Sequence, residues 1–301
     1  MPVGLTGETP VLREAAMIDL TFLFDAVGQA IPLKIMQLEF MQRAFVAVLL
    51  LAPMCAAMGV QVVNFRMSFF SEAVSHSAFA GVAIGLLAAL DVRLSMVGLA
   101  MAIGLLITAV GKRSSLSLDT IIGVFFAAVV AFGLAVTRHY RHVIRDTQMF
   151  LYGNILTVGP EEILWEALLL IVLMGFQFIG YNRLLYVGFN PVLATAHRVR
   201  TRAYQYIYAA LLAMVVMFSV WTVGVFLVTA MLVVPAASAR NLARSAGSMF
   251  WWAIVVSVTS SVAGLLISAQ PWADTAAGPT IILCACLWFA GSAVVARLRK
   301  A

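Results

Sequence analysis

The chain has 301 residues, 63% of them hydrophobic and 11% charged, with a formal charge of +6 and a mean hydropathy of +1.02. A soluble domain carries about 45–50% apolar and about 25% charged residues, so 32 charged side chains cannot clothe a globule of this size in water. A soluble enzyme, a nucleic-acid-binding domain and a disordered chain are all excluded. What remains is an integral membrane protein.

In chain order, residues 1–40 form a leader holding Glu8, Asp19, Asp25 and Glu39, with the acid-interrupted stretch "IDLTFLFDAV". This pattern suits an interfacial helix better than a signal peptide, whose n-region is positive. A transmembrane helix needs roughly 20 mostly apolar residues. Such stretches lie at 44–63, 73–90, 94–110, 118–137, 163–181, 203–239, 246–270 and 275–296. The 203–239 run has 37 residues without a charge, room for two short spans and a tight turn. The expectation is an all-α, polytopic fold with eight or nine transmembrane helices over residues 41–301. An outer-membrane barrel would show segments of about ten residues with alternating polarity, and these runs are continuous.

The basic residues then sort by side. Arg66, Lys112, Arg113, Arg183, Arg198, Arg200, Arg202, Arg240, Arg244, Arg297, Arg299 and Lys300 fall on one side, against Arg13, Lys34, Arg43, Arg93, Arg138, Arg141 and Arg145 on the other. The excess of Lys and Arg makes the first side, and the C-terminus, cytoplasmic. Glycines inside the spans (Gly81, Gly85, Gly98, Gly104, Gly123, Gly133, Gly224, Gly264) predict close helix packing. Cys55, Cys284 and Cys286 lie in apolar runs and read as small buried hydrophobes.

The segment "FFSEAVSHSAFAGVAIG" carries the clearest chemistry. Glu72 and His76 are spaced i,i+4 and share one helical face. A carboxylate and an imidazole there can hold a divalent cation such as zinc or manganese, and two ligands make a site weak enough to release its ion. The same residues also read as a helix-start carboxylate and a histidine bonded to a neighbouring helix. His139 and His142 have metal-like spacing, but Arg138, Arg141 and Arg145 crowd them, which favours a solvated or headgroup-facing loop. In "LYGNILTVGPEEI" a helix begins at Pro160, with Glu161 and Glu162 as capping acids; Glu166 lies a turn deeper with no assigned task. "GFNPVLATAHRVRTRAY" starts a short amphipathic element at Asn190–Pro191, and His197 beside Arg198 is a poor ligand. Pro235 is expected to kink or stop its helix, and Asp274 reads as a turn residue. The chain lacks the GxxxxGK[ST], HExxH and GxSxG motifs, so it is not expected to be an enzyme or to hydrolyse ATP itself.

The order of these segments resembles the permease subunit of the bacterial ABC importers for zinc, manganese and iron. The family's Gly-Asp-x-x-(Ser/Ala)-His-(Ala/Ser) segment is represented by "SEAVSHSAFAGVAIG". "LDTIIGVFFAAVVAFGL", "LYGNIL", "GFNPVLATA", "VGVFLVTAMLVVPAASAR" and "AAGPTIIL" follow in the family's order, so the likeness spans roughly residues 40–296. The resemblance implies a permease in the bacterial inner membrane that pairs with a second permease protomer. It also implies two ATP-binding cassette ATPase subunits at the cytoplasmic loops and an extracytoplasmic metal-binding protein. It makes Glu72 and His76 the ion-handling pair, with Zn²⁺, Mn²⁺ or Fe²⁺ as transported ion and no tightly bound cofactor; the lack of a dedicated oxygen cage puts Zn²⁺ ahead of Mn²⁺ and Fe²⁺. Asn190 to His197 would form or flank the element that meets the ATPase. Glu72 and Asn190 both stand where the family usually has aspartate. The competing readings are an ABC permease for a cobalamin- or haem-type chelate, an ATP-independent carrier, and a membrane-embedded enzyme.

Overall fold

The computed structural model describes residues 34–137, 155–273 and 275–299, and these are helical apart from short connections. The helices are α1 (Glu39–Asn64), α2 (Phe70–Leu87), α3 (Val92–Gly111), α4 (Leu118–Thr137), α5 (Pro160–Phe189), the short α6 (Pro191–Ala196), α7 (Thr201–Val223), α8 (Val225–Leu242), α9 (Ala246–Ser268) and α10 (Ala277–Leu298). Short 3-10 turns precede α1 and α5. Among the described residues, eight helices are long and apolar enough to cross a bilayer; α2, 18 residues with Glu72 and His76 in its sequence, completes a set of nine there. Helix α1 starts at Glu39, just inside the expected leader. The rest of that leader to residue 33, the basic loop with His139 and His142, Leu151–Asn154, Asp274 and Lys300 lie outside the described residues.

Sequence dictates the ends of these helices. Asp91 caps α3 by accepting from the Leu94 amide at 3.0 Å, and Ser245 caps α9 by accepting from Ser248 at 3.2 Å. Pro160 opens α5, where the Glu162 carboxylate accepts from the Gly159 amide at 3.1 Å. The long 203–239 run divides at Gly224, whose φ of 86° and ψ of 161° no other residue adopts cheaply. The division falls there and not at Pro235, which sits inside α8 without ending it. In a bilayer, neighbouring helices and hydroxyl side chains compensate for a missing proline donor. Ser238 donates to the Val234 carbonyl at 2.8 Å in that same turn.

Helix α1 is the axis of the molecule, buried along most of its length. Three neighbours bond to its backbone: Ser257 of α9 to the Ala52 carbonyl at 2.7 Å, Gln177 of α5 to Ala57 at 2.8 Å, and Tyr208 of α7 to Met58 at 2.8 Å. Helices α1, α8, α9 and α10 pack into one group, and α2, α3, α4 and α7 into another, with α5 lying on α1 and α7. Close approach uses glycine where the sequence led us to expect it only in part. A Cβ on Gly81 would lie 2.6 Å from the Met96 backbone and one on Gly264 would lie 2.4 Å from Ile281. Gly98 and Gly123 meet nothing within 4 Å, so those two do not act as contact points within the chain. The tightest approach is at Gly59, whose Cβ would fall 1.9 Å from the Leu232 carbonyl oxygen, which sets α8 directly against α1. Of the cysteines, Cys55 is buried as expected, Cys284 is half-buried and Cys286 is exposed on α10.

Contacts at the helix ends define two rims. At one, Arg93 at the start of α3 pairs with Glu162 of α5 at 3.1 Å and covers the Trp221 ring of α7 at 4.7 Å. At the other, Lys112 lies over Tyr206 at 4.0 Å, and Arg299 donates to the Leu242 carbonyl at 3.0 Å.

Candidate metal-handling site

Helix α2 threads between α3, α4, α7 and α8. From Phe70 to Gly85 its residues are buried, apart from the half-buried Glu72, His76, Phe79 and Ile84. Spacings of four and then three place Glu72, His76 and Phe79 on one stripe. The sequence therefore builds a helix enclosed almost all round, with one partly open line that carries its only ionisable side chains.

The structure brings the two expected residues into contact. His76 Nε2 and Glu72 Oε1 are 3.1 Å apart, with side-chain exposures of 15% and 27%. Glu72 lies in the first turn of α2, as the helix-start reading has it, and its carboxylate turns to the imidazole. The reading in which His76 bonds to a neighbouring helix is replaced by this bond within α2. Two aromatic rings fix the imidazole plane: Phe126 of α4 meets it edge-on at 5.1 Å between centroids, and Phe79 lies at 5.6 Å. Thr229 of α8 stands beside the carboxylate and donates to the Val225 carbonyl at 3.0 Å. The nearby Ser75 and Ser77 are buried and bond back to α2 carbonyls at 2.6 Å each, which occupies their hydroxyl protons.

Chemically, the stripe offers one carboxylate, one imidazole and a hydroxyl nearby. Among the described residues no group of three or more His, Cys, Asp or Glu side chains is placed to hold a metal ion. A cation held here would complete its shell with water or with ligands from another chain, as transient occupancy requires.

The other candidates separate. Glu161 is exposed, while Glu162 caps α5 and pairs with Arg93, in line with the capping reading. His197 is exposed and lies against the Tyr186 ring at 6.0 Å. The Asn190 side chain accepts from the Val192 amide at 3.0 Å, so it starts α6 as a capping residue without the charge of an aspartate. Sequence reasoning missed Thr229 and Phe126, which reach the site only through packing of distant segments. It left Glu166 without a role, although this residue is 1% exposed and accepts from Thr222 at 2.7 Å. Its one sequence signal was a carboxylate one turn inside an apolar run.

Comparison with known proteins places this geometry in context. A family model described as the ABC 3 transport family matches residues 37–296. The chain is 28% identical to the high-affinity zinc uptake system membrane protein ZnuB of Haemophilus influenzae, over 83% of this chain and 95% of that protein. It is 30% identical to the manganese transport system membrane protein MntC of Halalkalibacterium halodurans, over 91% of this chain and 90% of that protein. The structure of PsaBC from Streptococcus pneumoniae in complex with Fab superposes with a TM-score of 0.73 and 26% identity, covering 90% of this chain and 95% of that one.

Proposed function

The chain belongs to the ABC 3 transport family, and on that premise we propose that it is the transmembrane permease subunit of an ATP-driven importer for a divalent transition metal ion. The observation that carries this reading is the Glu72–His76 contact on the one partly open line of an otherwise enclosed helix. An intramembrane carboxylate and imidazole are costly unless they pair or line a path; these two do the first and are positioned for the second. Relatives named for zinc and for manganese support the class of cargo. The imidazole supports zinc ahead of manganese, which favours an oxygen-rich shell.

A second permease protomer brought against the α2 stripe supplies further ligands, so the ion passes between protomers. An extracytoplasmic binding protein delivers the ion. Two ATPase subunits dock where α6 projects, with Phe189 and Val192 exposed at 75% and 77% as apolar contact points. The basic rim of Lys112, Arg202 and Arg299 faces the cytoplasm by the positive-inside rule, together with the C-terminus.

Uptake of radioactive Zn²⁺ and Mn²⁺ by the reconstituted complex tests this reading, with Glu72→Gln and His76→Ala beside the wild type. Loss of uptake in both variants with assembly intact is expected. Normal transport in both removes Glu72 and His76 from the path, and a permease for a bulky chelate is likewise indifferent to these substitutions.

A further inference from the structure

Away from the α2 stripe, the basic rim sets two cations beside an apolar cavity. The Lys112 ammonium, just past the end of α3, donates to the Arg202 backbone carbonyl at 3.4 Å, where α7 begins. It also lies 4.0 Å from the centre of the Tyr206 ring, a contact that offsets part of its charge without neutralising it. Arg113 and Arg200, close by in sequence, are exposed as well. The ion pairs among the described residues are Arg43–Glu39, His76–Glu72 and Arg93–Glu162. No carboxylate among them therefore neutralises this group, Asp119 in the first turn of α4 included. Burial and the nearby Arg202 guanidinium both hold the Lys112 ammonium below its usual range, as befits a cation without a counter-charge.

Lys112 is also part of the wall of a cavity of about 230 Å³, whose lining includes the apolar Met67, Ile107, Leu118 and Val187. These come from the α1–α2 connection, α3, α4 and α5, so the cavity is a gap where several helix ends meet. Thr108, also on its wall, donates its hydroxyl proton to the Gly104 carbonyl at 2.9 Å, which leaves the surface largely apolar. Such a wall favours hydrocarbon over water, while the cations call for an anion. One molecule satisfies both when a negative head is joined to a hydrocarbon body, and at the ends of spanning helices that molecule is a lipid. Basic pockets between transmembrane helices take lipid headgroups by this complementarity. We propose that Lys112, Arg202 and this cavity form a site for one anionic phospholipid, its phosphate on the two cations and part of an acyl chain in the cavity. Its place in the cytoplasmic leaflet rests on the positive-inside orientation; the site itself depends neither on that nor on the ion carried.

Native mass spectrometry of the full chain in detergent, titrated with phosphatidylglycerol or phosphatidylcholine, tests this. The expected result is one phosphatidylglycerol retained per chain, with phosphatidylcholine held about tenfold or more weakly. Lys112→Gln with Arg202→Gln should raise the half-saturating phosphatidylglycerol about tenfold or more. Arg240→Gln with Arg297→Gln removes the same charge from the ends of α8 and α10 and should leave it unchanged. Thr108→Phe, which fills the cavity without altering charge, should also weaken retention; the exposed cations carry the test even if that variant fails to fold. Inorganic phosphate should not displace the lipid. Equal retention of the two lipids overturns the proposal, as does retention unchanged by Lys112→Gln with Arg202→Gln or by a folded Thr108→Phe. An equal loss in the Arg240/Arg297 control, or displacement by inorganic phosphate, reduces the effect to bulk charge or to an anion alone and overturns it too. So does loss of a co-purifying ATPase subunit from the Lys112/Arg202 variant with lipid retention intact, which assigns the cations to a protein interface. Glu72 and His76 stay intact and no transport is measured, so failure here is distinct from failure of the transport reading.

Discussion

Glu72 and His76 lie on the one partly open line of α2, whose other faces are filled by small residues such as Ala73, Ala78 and Ala80. Substitution of Glu72 is therefore expected to act on the ion and to spare the fold, whereas His76 also packs against Phe79 and Phe126. His76→Ala should weaken ion passage about tenfold or more, equivalent to about 1.4 kcal/mol, and lower the melting temperature through lost packing against Phe79 and Phe126, whereas Glu72→Gln should lose uptake with the melting temperature little changed. Glu72→Asp shortens the reach by one methylene and restores the usual family residue, so uptake should be retained in that variant and lost in Glu72→Gln. Ser75→Ala is the matched control: its hydroxyl already bonds to the Ser71 carbonyl at 2.6 Å, and uptake should not change. At this scale the sequence was informative, because an i,i+4 pair in an apolar run is visible without coordinates. Thr229 and Phe126 were not visible, since no local pattern records which distant side chains will meet.

At the scale of elements, glycine variants separate contact from chance. Gly59→Ala forces a methyl group into the Leu232 carbonyl and should cost about 2–3 kcal/mol, the range of an overpacked core. Gly224→Ala, at φ 86°, should cost about 1–2 kcal/mol. Gly98→Ala and Gly123→Ala should be neutral or mildly stabilising, since each adds helix propensity in open space. Thermal unfolding of the four variants in one detergent ranks them. Asn190→Ala removes the cap of α6 and should cost about 1 kcal/mol there, with slower uptake, whereas Asn190→Asp keeps the cap and the rate. Most helices could be read from uninterrupted apolar runs. The division of the 203–239 run could not, because a glycine is as compatible with a helix interior as with its end. Pro235 misdirected the eye: its helix continues because packing in a bilayer supplies what the missing donor withholds.

At the scale of the whole molecule, the order of the spanning helices among the described residues and the two rims make a prediction about sidedness. In spheroplasts carrying the Cys284→Ser/Cys286→Ser chain, Leu90→Cys should react with an impermeant maleimide, and Leu116→Cys should react only after permeabilisation; both positions are exposed, one before α3 and one after it. The reverse pattern would invert the orientation while leaving the fold untouched.

The single glycine between α7 and α8 has a mechanical consequence. Helix α7 belongs with α2, α3 and α4, whereas α8 belongs with α1, α9 and α10, so Gly224 is the joint between two packed groups. Thr229 lies five residues beyond it, about 7.5 Å along the helix axis, and faces Glu72 across the seam. A swing of about ten degrees at that joint would carry the hydroxyl roughly 1.3 Å from the carboxylate over such a lever arm. That is the difference between a ligand held and a ligand let go, so a small relative rotation of the two groups is enough to change the grip on an ion.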